Sequence, residues 1–209
     1  MIVVDIETSG VDFIKNGIWQ IGTIDLDTLE EYLDECKIDD EEIVSEESLK
    51  VTGKTEEELR DSNKKTQKEM LEKFMEWVEK RKIKNFICQC PQFDVSFIRV
   101  KCSKYGIKET FHHRAFDTHS IVQTKFSEIN NSLSIKDNKS NFNLNEVIGF
   151  CGLNPERVEF TEGKLTKEGK PHNALEDAKL TAECFSRLIY GKNLFPEYDE
   201  FKIPENLKK

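Results

Sequence analysis

The sequence predicts an α/β chain, a three-layer domain with a central mixed β-sheet flanked by helices, and three observations predict it. Short apolar runs rich in β-branched residues crowd the first forty positions, as strands do. Amphipathic helical periodicity dominates from residue 64 onward, and strands followed by helices suit a mixed sheet covered on both faces. A length of 209 residues fits one domain, and 14 Phe, 2 Trp and 4 Tyr supply bulky apolar surface for its core although 34% of residues are charged. Residues 1–192 are expected to form that domain and 193–209 a polar tail with interspersed aromatics that packs on it. Wholesale disorder and fibrous structure are excluded.

The elements follow in order. Residues 2–6 and 18–26 read as neighbouring strands, and 32–38 as a third. After an acidic loop, Thr55 and Glu58 have the spacing of a capping box and start a short helix. Met70, Leu71, Phe74, Met75, Trp77 and Val78 recur at helical spacing within a long helix over 64–82. Residues 85–90 form a buried strand, and 93–105 a helix stopped by Gly106. Asp117 caps a helix reaching Phe126, and the Ser-, Asn- and Lys-rich stretch 127–143 loops out. A short helix over 144–151 ends at Gly152. Residues 162–171, with Gly163 and Gly169, read as a flexible basic loop, and 173–190 as a helix closed by Gly191.

Net charge is −9, but residues 27–61 alone carry −11, which leaves +2 for the rest. An acidic lobe beside a near-neutral body is compatible with a local basic path for phosphates. No apolar stretch approaches the roughly 20 residues needed to span a bilayer. The amino terminus lacks the basic and long apolar regions of a signal peptide, so a soluble, cytoplasmic protein with reduced cysteines and no membrane partner is expected. Its six cysteines include no Cys-x-x-Cys pair, and Cys88 and Cys90 alternate along a strand, as small hydrophobes would.

Three clusters carry chemistry. Asp5 and Glu7 sit two apart on a strand and so share a face, aiming two carboxylates at one point. Such a pair is either solvated surface or a holder of a hard cation such as Mg²⁺. Thr8, Ser9 and Gly10 follow as a turn whose amides are placed to approach a ligand. Asp94 opens a helix after an apolar strand, where it serves the helix dipole or a metal. Asp177 lies one turn into the last long helix, and His172 lies in the loop before it.

Asp5-Ile6-Glu7-Thr8-Ser9-Gly10, Phe93-Asp94 and His172-Asn173-Ala174-Leu175-Glu176-Asp177-Ala178 together resemble the three motifs of DnaQ-like 3′–5′ exonucleases of the DEDD superfamily. The histidine five residues before the last Asp is similar to the DEDDh subgroup. Ile18-Trp19-Gln20-Ile21-Gly22, Val51-Thr52-Gly53-Lys54-Thr55 and Phe116-Asp117-Thr118 also look like family features. The segment Gln89-Cys90-Pro91-Gln92 departs from the His-Asn pair that many relatives carry before Phe-Asp, which leaves the neighbouring substrate contacts open.

The resemblance implies a ribonuclease H-like fold and a metal-dependent 3′–5′ exonuclease (a hydrolase) acting on single-stranded RNA or DNA to release nucleoside 5′-monophosphates. Two Mg²⁺ ions, with Mn²⁺ as a substitute, are implied on Asp5, Glu7, Asp94 and Asp177, with His172 as general base near its ordinary pKa of about 6.5. The expected partner is a nucleic-acid 3′ end. Lys164, Lys167 and Lys170 are candidates to meet its phosphates, away from the acidic lobe, and Phe13 or Trp19 to stack on its bases. A catalytically silent RNA-binding scaffold of the same fold and a nucleotide phosphoesterase are the rival readings. The full set of acids and His172 speaks against the silent scaffold, and nothing in the sequence decides for or against a homodimer.

Overall fold

The computed structural model describes residues 1–154, 156–161 and 164–209. Among them the chain forms, in order, β1 (Ile2–Thr8), β2 (Ile18–Asp25), β3 (Glu31–Glu35), α1 (Glu46–Thr52), α2 (Glu56–Leu59), α3 (Gln67–Glu79), β4 (Phe86–Cys88), α4 (Pro91–Tyr105), β5 (Phe116–Asp117), α5 (Thr118–Asn130), β6 (Ile135–Lys136), β7 (Lys139–Ser140), α6 (Leu144–Phe150), β8 (Glu159–Thr161), β9 (Lys164–Lys167) and α7 (Ala174–Tyr190). The main sheet runs β3-β2-β1-β4-β5, antiparallel from β3 to β1 and parallel from β1 to β5. It is the mixed sheet that the sequence predicts.

Strand alternation divides the core. Ile2, Val4 and Ile6 of β1, with Phe86 and Cys88 of β4, meet Leu71, Phe74 and Phe97 from α3 and α4 on one face. Val3, Ile24 and Ile87 meet Ala178, Ala182 and Phe185 of α7 on the other. A further cluster joins α5, α6 and α7 through Val122, Val147, Ile148 and Leu188, and includes Leu207 of the tail. The tail is held by polar contacts as well: buried Glu183 accepts from the amides of Leu194 and Phe195, and Arg187 donates to the carbonyls of Tyr198 and Phe201. No helix among the described residues is long and apolar enough to cross a membrane.

Several boundaries differ from the sequence reading, each for a local reason. The strand expected over 85–90 ends at Cys88, because Pro91 supplies the pre-set φ of a first helical residue and starts α4 two positions early, leaving Cys90 exposed at its N-cap. Part of the acidic loop is helix α1, started by the Ser45 side chain accepting from the Ser48 amide. The stretch read as a loop over 127–143 instead prolongs α5 to Asn130 and then forms the β6–β7 hairpin, whose turn has Asp137 and Asn138 at positive φ. Residues 164–167 of the expected flexible loop are strand β9, paired with β8, while Glu162 and Gly163 of that loop lie outside the described residues.

One contact sets the height of α7 on the sheet. A Cβ at Gly22 would lie 2.1 Å from the Leu175 amide nitrogen and 2.2 Å from the Ala174 carbonyl carbon, so α7 rests directly on the β2 backbone. Two residues away on the same face, buried Gln20 accepts from the Ala174 amide at 2.7 Å. Gly22→Ala is therefore expected to destabilise the protein by about 2 kcal/mol or more, because backbone cannot yield as a side chain does. Gly149→Ala, where an added Cβ meets nothing within 4 Å in α6, should be neutral or stabilise by about 0.5–1 kcal/mol. Urea unfolding of both variants checks this, and equal midpoints would refute it.

Candidate active site

Asp5 and Glu7 lie on the α7 face of β1, opposite Gly22 and Gln20 of β2, the two residues that seat the start of α7. Their cross-strand neighbours therefore carry the helix that brings Asp177. Asn173 caps that helix by accepting from the Leu175 and Glu176 amides, and Asp177 follows one turn in. Asp94 arrives from the first turn of α4 beside the Ile6 amide, which lies between the two acids of β1 and favours its carboxylate. Pairing of β1 with β4 reaches only Val3 and Ile87, which leaves the carboxyl end of β1 open on that side. The four carboxylates and His172 meet there, in a cleft of about 660 Å³.

His172 is not in a mobile loop as the sequence suggests. Its amide donates to the carbonyl of Val51 in α1 at 3.1 Å, and Pro171 packs near Gly53, whose φ of +67° lets α1 end there. The ring is half-buried, with Nε2 3.1 Å from the Val158 carbonyl and Nδ1 3.0 Å from Nη2 of Arg157. A carbonyl only accepts and a guanidinium only donates, which assigns the proton to Nε2 and the lone pair to Nδ1. Burial and the Arg157 charge push the His172 pKa down to about 4, against the ordinary value expected from sequence.

Arg157 is the residue that sequence reasoning missed. It precedes β8, far in sequence from every motif, yet it forms an ion pair with Asp177: Nη2 donates to Oδ2 at 2.6 Å, and Nε lies 2.5 Å from Oδ1 without hydrogen-bond geometry. The acids show the opposite perturbation to His172. Burial, then the charges of Asp177, Asp94 and Glu7, hold Asp5 well above the usual carboxylate range. Glu7 is pushed up to about 8 and Asp94 to about 7, both chiefly by burial. Asp177 is raised by burial against the pull of Arg157. A set of crowded oxygen donors suits a hard divalent ion, and Glu7, His172 and Asp177 offer ligand atoms within 4.8 Å of one another.

The remaining sequence candidates divide. Thr8 and Gly10 line the cleft. Ser9 is fully buried, its amide donating to Gly17 and its hydroxyl bonded to Gly17 and Ile43, so its polar groups serve the fold and do not face a ligand. Trp19 is 1% exposed and packs with Ile38 and Leu59, because a bulge opposite Glu7 and Thr8 turns it out of strand register into a separate core cluster. That burial corrects its expected stacking role. Phe13 is exposed but sits edge-on to Phe97 and outside the lining, whereas Val11 and Phe93 line the cleft.

Lys164 and Lys167 stand on β9 and Lys170 pairs with Glu156 at 2.8 Å; none of the three lines this cleft. Glu47, Ser48, Val51 and Thr52 of α1 do line it, so part of the acidic segment that was expected to stand apart is one of its walls. A second cleft of about 720 Å³ adjoins the first across Val51, Arg157 and His172, bordered by Lys136 and Lys139 of the β6–β7 hairpin and Glu159 of β8. The atypical Gln89 donates to the Phe142 carbonyl at 2.9 Å, tying the end of β4 to the segment beneath that second cleft.

Comparison with known proteins matches the family model described as an exonuclease, RNase_T, to residues 2–185. A PolC-type DNA polymerase III from Caldanaerobacter subterraneus subsp. tengcongensis is 27% identical over 194 residues, 90% of this chain. The chain spans only 11% of that polymerase's length. Among solved structures, Escherichia coli ExoI bound to ssDNA with zinc superposes with a TM-score of 0.68 at 15% identity, over 91% of this chain and 40% of ExoI. The nuclease domain of 3′hExo, a DEDDh family member bound to rAMP, gives 0.62 at 14% identity, over 98% of this chain and 95% of that one. The cell-death related nuclease CRN-4 gives 0.65 at 14% identity, over 92% and 64%.

The raised acids and the lowered histidine act on stability in different pH windows. His172, with a folded pKa below its unfolded value, favours folding above about 6.5, and that contribution is lost as pH falls toward 4. Glu7 and Asp94 bind protons more tightly folded than unfolded, so their contribution is lost as pH rises through about 7 to 8. Of these groups, only the acids act above pH 6.5. In EDTA the Tm should therefore fall as pH rises above that value, and Glu7→Gln should flatten the fall; a parent Tm that stays level would contradict the assignment.

Proposed function

The chain belongs to the RNase T exonuclease family, and on that premise we propose that it hydrolyses single-stranded nucleic acid from the 3′ end, releasing nucleoside 5′-monophosphates. The observation that carries this reading is the convergence of Asp5, Glu7, Asp94 and Asp177 with His172 on one cleft. The four acids would hold two Mg²⁺ ions, with Mn²⁺ able to replace them, and those ions would supply charge neutralisation on the entering and leaving oxygens of an in-line displacement. That ExoI is solved with ssDNA and 3′hExo with rAMP supports a nucleic-acid strand as the ligand class.

The chain's own groups have separable tasks in this scheme. His172 is unprotonated at neutral pH, and Nδ1 is the atom that takes a proton from the attacking water. The Val158 carbonyl fixes the tautomer at Nε2 and stabilises the imidazolium once it forms. Val11 and Phe93 offer apolar surface to the terminal base in the place expected of Phe13 and Trp19. Lys164 and Lys167 would guide the backbone from β9, where Lys167 is paired with Glu159 of the second cleft and Lys136 and Lys139 add charge. Lys170 contributes less, being committed to Glu156.

End-labelled single-stranded RNA and DNA oligonucleotides with Mg²⁺ or Mn²⁺ test the reading. Mononucleotides should appear from the 3′ end and cease in EDTA. Asp177→Asn should lose activity and Mn²⁺ binding together, while His172→Ala should lose about 10²–10⁴ in kcat with Mn²⁺ binding kept. Release from the 5′ end, or undiminished release in chelator, would overturn the assignment. Loss of Mn²⁺ affinity in His172→Ala as severe as in Asp177→Asn would make the histidine a ligand and not the base.

A further inference from the structure

We propose that Arg157 is a built-in counter-cation that competes with a divalent ion for Asp177, so that loading the site requires the guanidinium to leave. The inference rests on the metal-binding reading above and concerns what opposes it. Three features of Arg157 support it.

The first is how completely the guanidinium occupies its partners. Nη2 donates to Oδ2 of Asp177, Nε stands at ion-pair distance from Oδ1 without a hydrogen bond, and Nη2 also faces Nδ1 of His172. Asp177 and His172, whose Oδ2 and Nδ1 lie 3.9 Å apart, form with Glu7 a group that offers one ligand atom each, all within 4.8 Å of one another. One positive charge fits among them at that spacing; a second is repelled by the first and finds the Asp177 oxygens already engaged.

The second is that the backbone carrying Arg157 is fixed, so any release is a motion of the side chain. Residues 156–158 pair with Lys170, whose amide donates to Glu156 at 2.6 Å and whose carbonyl accepts from Val158 at 2.9 Å. The approach is so close that a Cβ at Gly169 would lie 2.5 Å from the Glu156 carbonyl oxygen. Gly169, read from sequence as a mark of flexibility, thus places Arg157.

The third is an exit. Arg157 borders both clefts, and its Nη1 already lies 3.3 Å from Oδ1 of Asn145, which with Glu159 lines the second. A guanidinium released from Asp177 finds acceptors there without entering bulk solvent.

Calorimetric titration of Mn²⁺ into the parent protein, Arg157→Gln and Arg157→Lys, at one pH and without nucleic acid, tests the proposal. Arg157→Gln should bind Mn²⁺ about tenfold more tightly than the parent, since a charge-assisted hydrogen bond and its ion pair no longer have to be broken. Arg157→Lys, which keeps the charge and loses the planar guanidinium that spans Asp177 and His172, should fall between them. A merely structural arginine predicts the opposite, because its loss would loosen Asp177 and weaken binding. Equal or weaker affinity in Arg157→Gln with an unchanged circular dichroism spectrum overturns the competing role and leaves the metal site standing. Should Arg157→Gln fail to fold, equal or weaker affinity in Arg157→Lys overturns it in the same way. No Mn²⁺ binding by any of the three proteins removes the metal site, and this inference with it.

Discussion

The seating of α7 on the bare backbone of β2 is the constraint on which the rest of the site depends. Asp5 and Asp177 are separated by most of the chain, and no local propensity brings them together. Gly22, opposite Asp5, removes the side chain that would hold the helix away, and Gln20, opposite Glu7, takes the Ala174 amide that a helix start leaves unpaired. Two residues of one strand thereby fix both the height and the position of the helix start. Asp177 is carried to the acids of β1 as a consequence, and His172, just before the helix, is held from the other side by the Val51 carbonyl.

The same enclosure that gathers the acids makes their charge expensive. Asp94 and Asp177 lie near the starts of helices, where the backbone dipole favours a carboxylate, yet both are raised, so withdrawal from water outweighs the dipole. Elsewhere the chain meets buried charge with charge. Glu42, from the acidic segment, is enclosed with Lys101 at 2.6 Å and also accepts from Gln67, which binds the Ile18 amide at the start of β2. Lys64, Lys65 and Lys104 pair with Glu35, Asp34 and Asp39 in turn. The segment that counts as a strongly acidic lobe in one dimension is in three dimensions laced with bases from α3, α4 and their flanks, which is how it stands beside the active cleft.

What was legible in the sequence was whatever a single element determines. Asp5 and Glu7 share a face because strand period is two, and Asp177 points inward because it lies one turn beyond a capping Asn. Gly106 and Gly191 end their helices at positive φ as expected. What needed the structure was whatever two distant segments decide together. Trp19 sits in a strand whose residues are all buried, and only the bulge against β1 shows that it serves a separate core cluster. α1 has just Leu49 and Val51 as large apolar residues among acids and serines, too weak a pattern to read as a helix, yet it forms a wall of the cleft. Arg157 carries no signal at all, since an arginine near a loop looks like any solvated base until β8, β9 and Gly169 bring it to Asp177.

The opposite shifts of His172 and the four acids have one physical origin. Burial disfavours charge of either sign, which lowers the affinity of an imidazole for a proton and raises that of a carboxylate. Arg157 bears on both, by lying against Nδ1 of the one and the oxygens of the other. The imidazole and the carboxylates therefore cannot be tuned independently in this chain. Any positive charge that replaces the guanidinium at Asp177 inherits its effect on His172, keeping the ring unprotonated, while removal of the guanidinium alone would expose Asp177 to its acidic neighbours. Beside Asp177 there is thus one position for positive charge that also touches the imidazole, and the availability of the His172 lone pair is decided by what occupies it.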